Sequence, residues 1–298
     1  MQMKIKRLEF CENAVSSVVS AVLLLGIIVS VITVVNVQYI PEWKTAAEQS
    51  HMDNVFYDMA EMKNEVDILS AYVRTDTSTS LSVSIPIKMG GGSLPVFSSG
   101  KSGGRLAINE ENFSLNIVAN TPGLTYDSDL VLVNLGTVSY ISDNNYFVDQ
   151  KLVYENGALL ISQNNYSLMR LAPHIDMEMT DNATNITMNI NVIDINGPKR
   201  SVSSNSVEEL NVRTNGSDSL YWEGILFTDM TMTVETSYPS SWVTFFETMA
   251  KDSGIDPAGY SINSNETAVL FFLEGNAGED IKLNVTKTIF DARLNLLL

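Results

Sequence analysis

The sequence predicts an α+β chain: one long N-terminal helix, membrane-spanning and then a stem, followed by a mainly antiparallel, β-sandwich-like ectodomain. Three observations predict it. Residues 14–37 carry no charge. Apolar residues from Met52 to Val73 recur at spacings of three and four. From Leu81 onward the pattern changes to short alternating runs separated by Gly, Asn and Asp turns.

The charge-free run reads AVSSVVSAVLLLGIIVSVITVVNV. At ~1.5 Å per residue a helix of this length covers about 36 Å, more than the roughly 30 Å of a hydrocarbon core. A removable secretory signal has a shorter apolar region with a small-residue cleavage site after it, and this run has neither property. Lys4, Lys6 and Arg7 precede the run, and Tyr39 and Trp43 follow it. The positive-inside bias places the N-terminus in the cytoplasm and the C-terminus outside, with the two aromatics in an interfacial belt. The expected divisions are a cytoplasmic leader (1–13), a transmembrane helix (14–37), an amphipathic stem (38–74) and an extracytoplasmic β-rich domain (75–298).

The order of elements here carries a resemblance. A short basic leader, then Glu12-Asn13-Ala14-Val15-Ser16-Ser17-Val18-Val19 and a long aliphatic run, resembles the N-terminus of archaeal type IV pilin-like proteins. The resemblance covers about residues 1–40. It implies that a prepilin peptidase cuts the leader on the cytoplasmic side, in the region of Phe10, Cys11, Glu12 and Asn13. It also implies that the apolar helices bundle as a filament core. Self-association, or association with other pilin-like subunits, would then run through residues 14–73. Leaders in that family often carry a small residue before the cut, where this chain has Phe10 and Cys11.

In the stem, Pro41 predicts a kink or a restarted helix at the membrane exit. Beyond it, Met52, Val55, Phe56, Met59, Met62, Val66, Leu69 and Val73 form the apolar stripe. The stripe has two readings. The helix packs on the chain's own β domain, or it forms a coiled-coil stalk with identical subunits.

Strands are expected over 81–87, 113–118, 130–135, 151–155, 158–162, 175–179, 186–193, 207–212, 225–236, 267–273 and 281–289. Asn156-Gly157 is a hairpin signal, because both positions tolerate positive φ. Asn196-Gly197 turns the chain towards 207–212. The Gly- and Ser-rich stretch 89–105 reads as a flexible loop without phosphate-binding spacing. Ser240 or Ser241 caps a helix over 242–251.

A net charge of −17 and a pI near 4.4 exclude nucleic acid as a partner, since an acidic surface repels phosphate. Cys11 is the one cysteine, so no disulfide can hold the outer domain. The two histidines, His51 and His174, have neither a G-x-S-x-G nucleophile motif nor metal-ligand spacing to accompany them. The sequence therefore predicts no enzyme, cofactor or metal centre. Asp127-Ser-Asp129, Asp143-Asn-Asn145 and Asp194-Ile-Asn196 offer the oxygens that calcium takes, and ordinary turn chemistry explains them equally. Asn-x-Ser/Thr sequons begin at Asn112, Asn165, Asn182, Asn185, Asn215, Asn265 and Asn284, the candidate N-glycosylation sites.

The expected function is that of a pilin-like cell-surface structural protein, a minor pilin among the forms it could take. The alternative is a non-polymerising, single-pass surface glycoprotein or adhesin. A membrane-tethered extracellular hydrolase is a remoter alternative.

Overall fold

The computed structural model describes residues 12–75, 80–93, 100–127, 134–164, 166–180, 185–219, 222, 224–275 and 280–295. The described residues begin as one rod: α1 (Glu12–Val34), a π-helical turn (Val35–Tyr39) and α2 (Ile40–Thr75). Pro41 explains the turn. It has no N–H to donate, and its ring crowds the carbonyl four residues back. The helix widens just before it, and the Ile40 N–H donates to the Val35 carbonyl, an i→i−5 bond. The expected interruption is thus a π turn, and the helix continues through Pro41. Pro41→Ala should return 35–39 to α geometry and rotate α1 about its axis relative to the head. Distances between spin labels on α1 and on the head would report that rotation.

The β domain follows as β1 (Ser82–Lys88), β2 (Gly103–Ile108), β3 (Ser114–Thr121), β4 (Leu124–Asp127), β5 (Thr137–Asp143), β6 (Lys151–Glu155), β7 (Ala158–Gln163), β8 (Tyr166–Leu171) and β9 (Ile175–Thr180). It continues with β10 (Asn185–Asn196), β11 (Arg200–Ser204), β12 (Val207–Ser219), β13 (Leu226–Phe227) and β14 (Asp229–Glu235). The helix α3 (Pro239–Asp252), β15 (Tyr260–Ser264), β16 (Ala268–Glu274) and β17 (Ile281–Asn295) complete it.

The strands form three sheets. The first has the order β1-β12-β17-β10-β9, with β13 also on β17. The second runs β11-β2-β5-β6-β7-β8, and the third β15-β16-β14-β3-β4. Pairing is antiparallel except between β10 and β17, which run parallel from Ile186 opposite Ile281 to Asn196 opposite Asp291. The architecture is α+β, one long apolar helix followed by a mostly antiparallel β-rich domain.

β10 and β17 form the axis of the domain, and both change their buried face midway. In β10, Ile186, Met188, Ile190 and Val192 enter one core, whereas Ile193 and Ile195 enter another. In β17, Ile281, Leu283 and Val285 belong to the first core, and Phe290, Ala292 and Leu294 to the second. Side chains alternate along a strand, so even and odd positions lie on opposite faces. One face is therefore covered by α3 and the third sheet, through residues such as Trp242, Phe246 and Phe271. The other is covered by α2 and by the second sheet, which brings Leu106, Ile108 and Tyr140 into the same core.

On α2, Met52, Val55, Met59, Met62, Val66, Leu69 and Val73 are buried and Phe56 is partly so. They pack on β1 and β12 and reach β6, β7 and β17. The stripe thus meets the chain's own β domain, the first of its two readings.

Several expectations are corrected. Stretch 89–105 is not an open loop where it is described. The Met89 N–H donates to Ser206 O and the Ser102 N–H to Gly91 O, both at 2.8 Å. An added Cβ at Gly91 would collide with the His51 imidazole, so the backbone lies hard against α2. Asn196-Gly197 does not lead directly to β12, because β11 intervenes and pairs with β2. Neither serine caps α3. Its N-cap is Tyr238, with no side-chain bond, and Pro239 opens the first turn, where its missing N–H is no loss. The Asn156-Gly157 hairpin is present, with φ of 46° and 80°. The strand expected over 130–135 falls largely on residues outside the described ones.

Candidate functional site

The feature with the clearest chemistry is the lower half of the rod. Val18–Thr75 contains a span long and apolar enough to cross a membrane, with mean hydropathy 3.0 over its most apolar window. That window is 0% buried by the rest of the chain. Its polar side chains are satisfied internally. Ser30 Oγ donates to Gly26 O at 2.8 Å, Thr33 Oγ1 to Val29 O at 2.8 Å, and Asn36 Nδ2 to Ile32 O at 2.9 Å. Each reaches back four residues, so none of these three donors is left without an acceptor in an apolar medium. Tyr39 and Trp43, with ring centroids 5.9 Å apart, mark the end of the bare segment.

Immediately above it, the head is tied to the rod by a carboxylate. Glu48 is buried, and it accepts the backbone N–H groups of Asn145, Tyr146 and Phe147 at 3.1, 2.8 and 2.7 Å. Three successive donors on one carboxylate make a charge-assisted clamp. One turn further on, His51 lies 3.3 Å from the Tyr140 hydroxyl, which donates to Met89 O at 3.0 Å. Burial lowers the His51 pKa, against the Met89 backbone and the Asp58 and Glu48 charges that raise it, and so favours the neutral ring.

A second buried carboxylate stands between sheets. Glu155, at the end of β6, accepts Trp242 Nε1–H at 2.6 Å and Thr236 Oγ1–H at 2.9 Å. Burial pushes its carboxyl up to about 7; the Trp242 and Thr236 hydrogen bonds pull it down, Glu111 raises it and Lys151 lowers it. Nearby, Lys151 is ion-paired with Glu111, which also accepts the Tyr238 hydroxyl at 2.6 Å.

His174, by contrast, is half exposed, and its Nε2 lies 3.0 Å from Asp67 Oδ2, which Lys63 also reaches at 2.7 Å. His174 opens onto a polar cleft of about 270 Å³ shared with Arg74, Asp176, Asn189, Asn284 and Thr286. The Thr286 hydroxyl donates to Asn191 Oδ1 at 3.2 Å. Ser70, the hydroxyl nearest in sequence to Asp67, is buried and bonded to Thr288 at 2.9 Å. These groups form a structural network joining α2 to the parallel strand pair. Among the described residues, no group of three or more His, Cys, Asp or Glu is placed to hold a metal ion. Asp194 is ion-paired with Lys287 at 2.8 Å, and the turn after Asp143 is closed by Asn144 N–H donating to Asp149 Oδ1 at 2.9 Å.

Of the sequons, Asn112, Asn215 and Asn265 are exposed, while Asn185 and Asn284 are half-buried within β10 and β17. Asn165 and Asn182 lie outside the described residues, as do Phe10 and Cys11. Glu12 and Asn13 begin α1.

No curated protein and no solved structure matches the chain. A family model does, over residues 13–267, and its description is a family of unknown function, DUF7289. That span covers most of the chain, from the apolar helix into the last third of the β domain, and the chain belongs to this family.

Proposed function

We propose that the protein is a pilin-like structural protein of the cell surface, anchored or assembled through its N-terminal helix. The observation that supports this most is a single helix, bare over its lower half and embedded in a β-rich head over its upper half. A bare aliphatic rod needs apolar surroundings, which lipid or the equivalent helices of other subunits supply. The basic residues before it support a cytoplasmic N-terminus with the head outside. N-terminal mass spectrometry of the mature protein tests the assignment. A new terminus between Cys11 and Ala14 is expected from prepilin-type processing. An intact leader, together with absence from purified filaments, overturns it.

A second reading, a non-polymerising surface glycoprotein, is favoured by the exposure of Asn112, Asn215 and Asn265. Glycopeptide mass spectrometry should find sugar on Asn112 and Asn265, less on Asn215, whose Nδ2 donates to Asp291 Oδ1 at 3.2 Å, and none on Asn284. Asn284 Nδ2 donates to Asn189 Oδ1 at 2.7 Å from within a central strand, which withholds the nitrogen a glycan must attach to.

A further inference from the structure

Between β5 and β6 the chain crosses to α2 and returns through Asn144-Asn145-Tyr146-Phe147-Val148. Asp143 and Asp149 flank this tip, but no residue within it is charged, on a chain of net charge −17. The tip is rigid. Its three N–H donors are held by Glu48, and Asn144 Nδ2 closes the loop on Val148 O at 3.2 Å. Phe147 packs inward on the α2 core. Its neighbours Tyr146 and Val148 face outward and stay 46% and 44% exposed. An ordered loop thus presents two apolar side chains to the outside.

Its height on the rod is also defined. Lys44 Nζ lies 5.3 Å from the centre of the Tyr146 ring. Helical side chains lean towards the N-terminus, so the ring stands near the level of Ile40 to Lys44. Tyr39 and Trp43, 44% and 41% exposed, occupy the same level. From Val37 a helix rises about 5 Å to Ile40 and about 10 Å to Lys44, so the level of the ring runs from within a headgroup layer some 5–8 Å deep to just above it.

We propose that the 144–148 tip is a membrane-contact loop. Tyr146 and Val148 enter the headgroup layer of the leaflet on the head's side, level with Tyr39 and Trp43. The head then rests on lipid at two points instead of pivoting on the rod alone. The chemistry favours lipid as the occupant. An aromatic and an aliphatic tip without charge suits the interface, and Lys44 beneath it offers a cation to lipid phosphate. The proposal rests on the reading of α1 as a bilayer-spanning helix.

The test uses the full chain in phosphatidylcholine–phosphatidylglycerol vesicles, in a Cys11→Ser background. An environment-sensitive fluorophore is placed at Val148→Cys, at Val22→Cys on α1, and at Asn265→Cys on the β15–β16 turn. The label at 148 should be blue-shifted and quenched by lipids carrying a headgroup-level quencher. Adding Tyr146→Ser should weaken both effects, and the label at 265 should show neither. A label at 22 that is shielded by lipid, with one at 148 that is not, overturns the contact loop and leaves the anchor standing. Loss of both signals overturns the anchor as well. Shielding at 148 that vanishes on diluting the protein in lipid would assign the loop to a second copy of the chain and also overturn the proposal.

Discussion

Replacing Gly136 with alanine should destabilise the head by about 3 kcal/mol or more, the upper range for overpacking a closed site. Gly136 precedes β5 in a passage with rigid walls. A Cβ there would collide with the Ile195 carbonyl oxygen and come within 2.5 Å of Asn109 Oδ1. Neither wall can yield cheaply. The Ile195 carbonyl accepts Asn109 Nδ2 at 3.1 Å, and the same amide group reaches Gly197 O at 2.9 Å and accepts the Thr137 N–H at 2.9 Å. Asn109 itself sits at φ 56° to make these bonds. Gly123→Ala is the control. It also breaks a glycine, at φ +86°, but an added Cβ meets nothing within 4 Å. Only backbone strain of about 1 kcal/mol is expected there. Thermal unfolding of the detergent-solubilised chain separates the two. At ~2–4 °C per kcal/mol for a chain of this size, Gly136→Ala should lose roughly 6–12 °C and Gly123→Ala a few degrees at most. Equal losses would mean that the collision is not the cause.

Glu155 should make the stability of the head depend on pH. The folded state holds its proton up to about pH 7, whereas the ordinary carboxyl titrates near 4.5. The folded head therefore binds this proton more tightly than the unfolded chain does. The stabilisation is complete below pH 4.5 and is lost as the pH rises towards 7. A shift of that size corresponds to a loss on the order of 3 kcal/mol. Glu155→Gln keeps the shape without the charge, so its stability should fall less than that of the native chain between pH 4.5 and 8. Trp242→Phe removes a donor to the charged carboxylate and should move the midpoint of the transition upward. Parallel unfolding series for the native chain and Glu155→Gln provide the measurement, and identical slopes would refute the assignment.

The local periodicities of this chain were legible, and its long-range encounters were not. The stripe from Met52 to Val73 and the alternation in β10 and β14 are read directly because each records one face of one element. The face switch of β10 is hidden for the same reason. Between Ile190 and Ile195 every residue is buried, so the alternation that would show the change is lost where it happens. β2 and β11 escaped because Gly and Ser populate them, a composition that reads as loop until a partner strand is known. Glu48 lies four residues before the apolar stripe begins, where its sequence context marks it as no more than one acid of several on α2. Its three partners lie 97–99 residues away, and no local pattern announces such a clamp. Glu155 was similarly unremarkable until Trp242, 87 residues on, closed over it.

The position of β17 has a consequence for how the protein is made. This strand, the last along the described chain, occupies the middle of the first sheet, with β12 on one side and β10 on the other. It also contributes to both cores. Synthesis from the N-terminus leaves the growing β domain with a gap at its centre until this strand arrives. Until residues 281–295 have been made, β10 and β12 expose unpaired edges and apolar faces, the surfaces most prone to association with other chains. Completion of the first sheet therefore waits for the last described strand, and with it the joining of the two cores.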